Sequence, residues 1–276
     1  MSLDDHCISI ASLGVQAMLY EVSCFPSPGL VSCTSQGAHQ DMDYFTFLDS
    51  ATVLFHPLTR CVEAGFSPRA PQEIFEEIRG IGRAGEQLML QKTSGVNTHK
   101  GMLFLLGVCC AAAGKVLYSG AEFSALPGII KAMTQGLVER ELGPLRMIVK
   151  RNENKDLDFL SEEKALTHGE RLYLEYNLEG IRGEVERGLP LVFEYALDFY
   201  RAHESMSKNQ RLIHTLIAIM QYSEDSNILH RHPLETLREV QKRAKEIISL
   251  GGVETPQGLH AIEAMDEDFI RRKISP

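Results

Sequence analysis

Apolar residues recur every three or four positions along most of the chain, the spacing that lays one stripe down a helix and buries it. Between positions 44 and 62 the stripe runs Phe45, Leu48, Phe55, Leu58 and Val62. The same period predicts helices over 71–90, 99–113, 123–142, 189–202, 211–222, 234–250 and 260–270. The run 102–113 is apolar almost without interruption and reads as a buried helix at the centre of the fold, being shorter than the roughly 18 residues a bilayer span needs. Strand signals are scarce: a β-branched stretch such as Met147-Ile148-Val149 stands alone, and no strand–helix alternation suggests a doubly wound sheet. The expected fold is all-α, a compact multi-helix domain with a buried central helix and a long Pro/Gly loop near the N-terminus, at 26–37. One domain is expected over 1–276, with room for two halves meeting near 143–160, where Gly143-Pro144 closes a helix and the charged run 151–158 follows.

Composition narrows the function classes. A chain of 276 residues with 44% hydrophobic residues can bury a core, which excludes disorder. A net charge of −9 carries no basic footprint for duplex nucleic acid, so an anionic ligand would need a local cluster of cations, a metal ion, or both. The first twenty residues carry Asp4, Asp5 and His6 but no Lys or Arg, unlike a secretory leader. Six cysteines without CxxC spacing read as reduced core thiols. The expected compartment is the cytoplasm, with neither nucleic acid nor membrane as partner. A homo-oligomer stays open, because an apolar helix face reads alike whether it meets a core or a second subunit.

Four polar segments interrupt the helical pattern. Gly80-Ile81-Gly82-Arg83-Ala84-Gly85 fits G-x-G-x-x-G, but it follows a helical stretch where a dinucleotide loop must follow a strand, and it is set aside. The first segment runs from Glu21 through Pro26-Ser27-Pro28-Gly29-Leu30-Val31 to Gly37-Ala38-His39-Gln40-Asp41-Met42-Asp43. Asp41 and Asp43 at the start of a helix would be held ionised by its dipole, and two carboxylates two residues apart suit Mg²⁺. A plainer reading makes Asp41 an N-cap, Asp43 a first-turn acid and His39 a turn residue. The second segment, Ser94 to Gly101, places Asn97, Thr98, His99 and Lys100 ahead of the buried run. Free N–H groups at that helix start, with a lysine opposing the dipole, suit phosphate, although an exposed lysine after an ordinary cap is equally compatible. The third holds His168-Gly169-Glu170 and Gly180-Ile181-Arg182-Gly183-Glu184, where Arg182 offers bidentate contacts to an anion or is a surface charge at a turn. The fourth is Asp225-Ser226-Asn227 with His230, Arg231 and His232, a capping turn or a polar pocket wall.

Six motifs in order resemble one family: P-x-P-G-L-V at 26–31, G-x-H-x-D-M-D at 37–43, G-V-N-T-H-K-G at 95–101, T-H-G-E at 167–170, G-I-R-G-E at 180–184 and D-S-N at 225–227. Together they resemble the triphosphoribosyl-dephospho-CoA synthases, which make the prosthetic-group precursor of citrate lyase and malonate decarboxylase. The resemblance implies an all-helical transferase that moves the 5-triphosphoribosyl group of ATP from adenine to the 2′-hydroxyl of 3′-dephospho-CoA, with the product passed to a holo-acyl-carrier-protein synthase. It implies Mg²⁺ on Asp41 and Asp43, helped by Glu21, with one of these three as base or oxocarbenium stabiliser and Glu184 as an alternative base. Asn97, Thr98, His99 and Lys100 would hold phosphates, as would Arg182, and His39 would donate to adenine or phosphate. His168, Asp225 and Asn227 are carried over as substrate-binding residues. The sequence departs from the family at His230-Arg231-His232-Pro233, where a Gly-rich stretch is expected. Family members also continue past a segment like Ile274-Ser275-Pro276, so part of the pocket is expected to be lacking if that end contributes to it. An all-α, Mg²⁺-dependent nucleotide phosphohydrolase and a non-catalytic helical interaction module are the competing expectations.

Overall fold

The structure, a computed structural model, describes residues 2–146 and 166–276; the apolar triplet 147–149 and the charged run 151–158 lie outside the described residues. Among the described residues every regular element is helical. The N-terminal part holds α1 (Leu3–Ser23), α2 (Tyr44–Val53), α3 (Phe55–Gly65), α4 (Pro71–Lys92), α5 (Lys100–Ser119), α6 (Leu126–Thr134) and α7 (Leu137–Glu141). After the gap come α8 (His168–Tyr176), α9 (Gly180–Glu186), α10 (Leu197–Ala202), α11 (Lys208–Met220), α12 (Ser226–Arg231), α13 (Leu234–Ser249) and α14 (Pro256–Arg272).

Local chemistry explains where the elements depart from the apolar period. The helix expected over 44–62 is two helices that break at Leu54. Pro57 lacks an N–H and its ring would strike the carbonyl four residues back, so a continuous helix is disfavoured there while the first turn of α3 accepts it. The stretch 123–142 is divided likewise: α6 closes at Gln135, and Gly136, at φ 71°, starts the next helix. Leu191–Ala196 adopts π-helical turns before α10. The G-x-G-x-x-G stretch lies inside α4, where Gly80 and Gly82 have open space beside them, so it cradles no pyrophosphate.

Two main apolar clusters fill the interior. The larger centres on α3 and α5, with Leu58, Val62, Leu103, Val108 and Ala111 joined by Met18 of α1, Ile74 of α4 and Ile130 of α6. The backbones of α3 and α5 meet closely: a Cβ on Gly65 would overlap the Ala111 carbonyl, and one on Gly114 the Val62 carbonyl. By length and composition α5 could cross a membrane; in this fold it packs against α1, α3, α4 and α6. The second cluster joins α11, α13 and α14 through Ile213, Ile217, Val240, Ile262 and Phe269, and takes in Cys24 from the N-terminal part. Arg272 fixes α14 to α13 with 2.7 and 2.8 Å bonds to Glu239, and Arg243 reaches Asp268 at 2.6 Å. Although burial opposes ionisation of Asp268, the surrounding guanidinium groups hold its pKa at about 2.

Candidate functional site

A third, smaller apolar cluster draws the polar segments together. Val22 follows Glu21, Val31 ends the P-x-P-G-L-V loop, Met42 separates Asp41 from Asp43, and Val96 precedes Asn97; these pack with Tyr44, Phe47 and Leu48 of α2. Packing these four residues together, Val22, Val31 and Met42 buried and Val96 half-buried, places the start of α2, the end of α1 and the segment before α5 around a common centre.

The loop itself is held at both ends. Gly29, at φ 72°, donates its N–H to Asp266 Oδ1 at 2.9 Å, and a Cβ there would overlap the carbonyl oxygen of Ile274. Only glycine accepts both that dihedral and that approach. Ala38 N–H returns to Gly29 O at 2.9 Å, and His39 Nε2 lies 2.8 Å from Ser275 Oγ. The loop is thereby fastened to α14 and to the segment following it.

Each acid has its own environment. Glu21 is exposed to solvent yet surrounded by enough protein for desolvation to raise its carboxyl to about 7, the combination expected on the wall of an open cleft. Asp43, rather than Asp41, caps α2: its Oδ1 accepts Thr46 N–H at 2.9 Å and Thr46 Oγ1–H at 2.7 Å, which lowers its pKa. Asp41 lies outside the helix, with His39 Nδ1 at 3.8 Å. Burial, and then the charge of Arg231, lower the His39 pKa. Among the described residues Glu21, Asp41 and Asp43 do not form a three-ligand cluster. Mg²⁺ does not need one, since it retains water and takes oxygens from phosphates, so an oxygen-only pair with Asp43 held anionic fits that ion.

The segment before α5 is anchored from below. Asn97 Oδ1 accepts Lys100 N–H at 3.2 Å, while Thr98 turns away from the helix to donate to Ser50 Oγ at 2.7 Å. His99 Nδ1 lies 2.7 Å from the same Ser50 oxygen, and burial lowers the His99 pKa to about 4. Lys100 is paired with Glu86 of α4 at 2.6 Å, so its charge is not free in this state.

Across from these lies a cationic wall. The rings of His168 and His230 stack with centroids 3.4 Å apart, bringing α8 against α12. Burial lowers both pKa values, and Arg171 and Arg231 lower them further; Lys100 adds to the effect on His168. Among the described residues neither Arg171 nor Arg231 is paired with a carboxylate. Asp225 caps α12 with bonds from Asn227 N–H at 2.8 Å and Ile228 N–H at 3.1 Å, and burial raises its pKa. Asn227 is exposed.

Two expected site residues are held in ion pairs. Arg182 is bound to Glu141 at 2.6 Å, which also holds Arg79 at 2.7 Å; the Arg182 guanidinium borders the first turn of α8 at Gly169. Glu184 pairs with Arg187 at 3.6 Å. Gly180–Glu186 is a helix packed on α6 and α7, not a turn around a ligand. Sequence reasoning passed over Ser50, Glu86, Arg171 and Asp266. Ser50 and Asp266 lie in no Gly- or Pro-marked segment, Glu86 follows the G-x-G-x-x-G stretch that was set aside, and each looks like an ordinary helix residue until its partner is known. Arg171, one position beyond T-H-G-E, had the clearest available signal.

Comparison with known proteins bears on this arrangement. Residues 7–276 match the family model described as CitG, ATP:dephospho-CoA triphosphoribosyl transferase. The chain is 35% identical over 280 residues to a probable 2-(5''-triphosphoribosyl)-3'-dephosphocoenzyme-A synthase of Malonomonas rubra, covering 100% of this chain and 84% of that protein. A protein of the same description from Lactiplantibacillus plantarum is 36% identical over 270 residues, 96% of this chain and 90% of its own length. One from Vibrio cholerae is 35% identical over 275 residues, 97% and 82% respectively. No solved structure matches the chain. With the family model matched over nearly all its length, the chain belongs to the ATP:dephospho-CoA triphosphoribosyl transferase family.

Proposed function

We propose that the ground around the small apolar cluster is the catalytic centre of this transferase, with the cationic wall as its second anion-binding face. The family reaction joins ATP and 3′-dephospho-CoA into 2′-(5''-triphosphoribosyl)-3′-dephospho-CoA. In that chemistry the acceptor 2′-oxygen bonds to C1 of the ATP ribose, the bond from C1 to adenine breaks, and the hydroxyl proton must be removed. The observation that carries the assignment is the packing of Val22, Val31, Met42 and Val96 together, which gathers Glu21, Asp43 and the segment 97–100.

Within this centre Glu21 is the base. A carboxyl raised to about 7 is partly ionised near neutrality and binds the hydroxyl proton well once received. Asp43, fixed by Thr46 and kept anionic, opposes the positive charge that develops at C1 as adenine departs. Asp43 and Asp41 would hold Mg²⁺, which when bound supplies charge neutralisation and alignment of the triphosphate. Asn97, the first turn of α5 and Lys100, once released from Glu86, grip phosphates. His39, neutral because its pKa is lowered and braced by Ser275, is placed to donate to the leaving base or a phosphate. Arg171 and Arg231, with His168 and His230, take the diphosphate of the acceptor coenzyme. Arg182 supports α8 through its place beside Gly169, and Glu184 is left out of the chemistry.

We further place the reaction in the cytoplasm, in prosthetic-group synthesis for citrate lyase or malonate decarboxylase, with the product consumed by a holo-acyl-carrier-protein synthase. Incubation with ATP, Mg²⁺ and 3′-dephospho-CoA, followed by mass analysis, tests the reading. Free adenine and a coenzyme enlarged by a triphosphoribosyl group are expected. Orthophosphate or pyrophosphate without adenine would instead support the phosphohydrolase, and no saturable binding of ATP would support the interaction module.

A further inference from the structure

Ser50 lies on α2 with 0% of its surface exposed, and its hydroxyl joins two residues of the segment before α5. Thr98 Oγ1–H donates to Ser50 Oγ at 2.7 Å, and His99 Nδ1 lies 2.7 Å from the same oxygen. A serine hydroxyl has one proton to give. Were the His99 proton on Nδ1, Ser50 would receive two donors and its own buried O–H would face no acceptor. With the Ser50 proton directed at Nδ1, Thr98, Ser50 and the Nδ1 side of His99 are all satisfied, and the imidazole proton sits on Nε2.

We propose that Ser50 is a positioning residue for the transferase reaction: through the relay from Thr98 to Ser50 to His99 it fixes His99 as the Nε2–H tautomer and keeps segment 97–100 in register with Asp43. Asp43 caps the helix on which Ser50 sits, two turns further along, so one rigid element sets both the acid and the phosphate-binding segment. The tautomer matters because His99 is only 4% exposed and its Nε2 has no protein partner. Phe47 packs against the imidazole, its ring centroid 5.0 Å from that of His99 in an edge arrangement. With the proton on Nε2 one buried donor is left over, whereas the other tautomer would leave over both the Nε2 lone pair and the Ser50 hydroxyl proton, so the relay favours one ring orientation and one arrangement of segment 97–100. The inference rests on the assignment of nucleotide phosphates to segment 97–100.

Nitrogen-15 NMR of the histidine-labelled full chain, without substrate, reads the tautomer directly. Wild type is expected to show His99 protonated on Nε2 alone. Thr98→Val is expected to mix the two forms and Thr98→Ser to restore the single one, both at a half-buried position that spares the core; Ser50→Ala should match Thr98→Val. In steady state, Thr98→Val should raise the KM for ATP about tenfold, as expected for one weakened contact to a charged group, with the KM for dephospho-CoA unchanged and Thr98→Ser near wild type. A wild-type Nδ1–H signal, an equal rise in both KM values, or failure of Thr98→Ser to rescue overturns the proposal. The underlying phosphate assignment fails separately, if Asn97→Ala and Lys100→Ala leave the KM for ATP unchanged.

Discussion

The two polar faces of the centre are built in opposite ways. The face made by α2 and the start of α5 is tied down: Asp43 to Thr46, Thr98 and His99 to Ser50, Lys100 to Glu86. The face made by α8 and α12 brings Arg171 and Arg231, neither paired with a carboxylate among the described residues, close to stacked His168 and His230, with Glu170 and Glu175 also on α8. The first is organised before ligand arrives, as a reacting centre must be. The second keeps two guanidinium groups available to an anion, which suits recognition of a substrate's charge more than control of its geometry.

Substitutions should separate these faces most sharply at Glu21. Glu21→Gln is expected to reduce turnover by about 10²- to 10⁴-fold, the range for loss of a general base, read as adenine released per enzyme. The same change should stabilise the fold. Because the folded carboxyl titrates at about 7, above its ordinary value, ionisation favours the unfolded chain increasingly as pH rises from the ordinary carboxylate range through 7. The variant should therefore melt above wild type at pH 8 and with it in acid; identical melting at pH 8 would remove the desolvated-cleft account. Asp43→Asn keeps a competent cap, so it should lose about 100-fold in adenine release with its melting temperature little changed.

On the opposite face, Arg171→Ala with Arg231→Ala should raise the KM for dephospho-CoA by about tenfold or more and flatten its salt dependence, with turnover at saturation nearly kept. The His168 and His230 pKa values should climb together in the double variant, which proton NMR follows. A fall in turnover at unchanged KM would move those arginines to the reacting centre.

A smaller effect concerns stability in acid. His99 is held neutral by burial, with a folded pKa of about 4 against an ordinary 6.5, so protons favour the unfolded chain below 6.5. Between pH 7 and pH 5 its contribution should fall by about 2 kcal/mol, measured by urea unfolding in the Glu21→Gln background so that the opposing titration is absent. Smallest is Asp266→Ala, which removes the acceptor for Gly29 N–H and should cost about 1 kcal/mol.

The helical architecture could be read from apolar spacing because a buried stripe leaves the same periodic trace wherever the helix lies. Breaks were legible only where a residue forces them, and Pro57 and Gly136 show that a period can continue across an interruption of the backbone. The short helices α8, α9 and α12 escaped because one or two turns carry too few apolar residues for a period to register. The long α1 escaped as well, because its buried stripe, Cys7, Ala11, Gly14, Met18 and Val22, is partly made of small residues that leave a weak apolar trace. In the site, the segments dense in Gly, Pro and Asp were visible, and a resemblance put them in order. Which aspartate caps α2 was not: Asp41 and Asp43 are both plausible from spacing, and the choice rests on Thr46 lying three residues beyond Asp43. Partners such as Ser50 to His99 and Gly29 to Asp266 connect distant positions and leave no local mark.

The ion pair between Lys100 and Glu86 gives ligand capture the character of an exchange. A phosphate reaching Lys100 must displace a carboxylate, so the gain is the difference between two anions, not the full attraction of one. On the proposed assignment of Lys100 to phosphate, such a counterweight would weaken the hold on ATP while making release of the triphosphate-bearing product easier. Neutralising the competitor with Glu86→Gln should therefore tighten nucleotide binding and slow the final departure step, turning an enzyme that lets go into one that lingers.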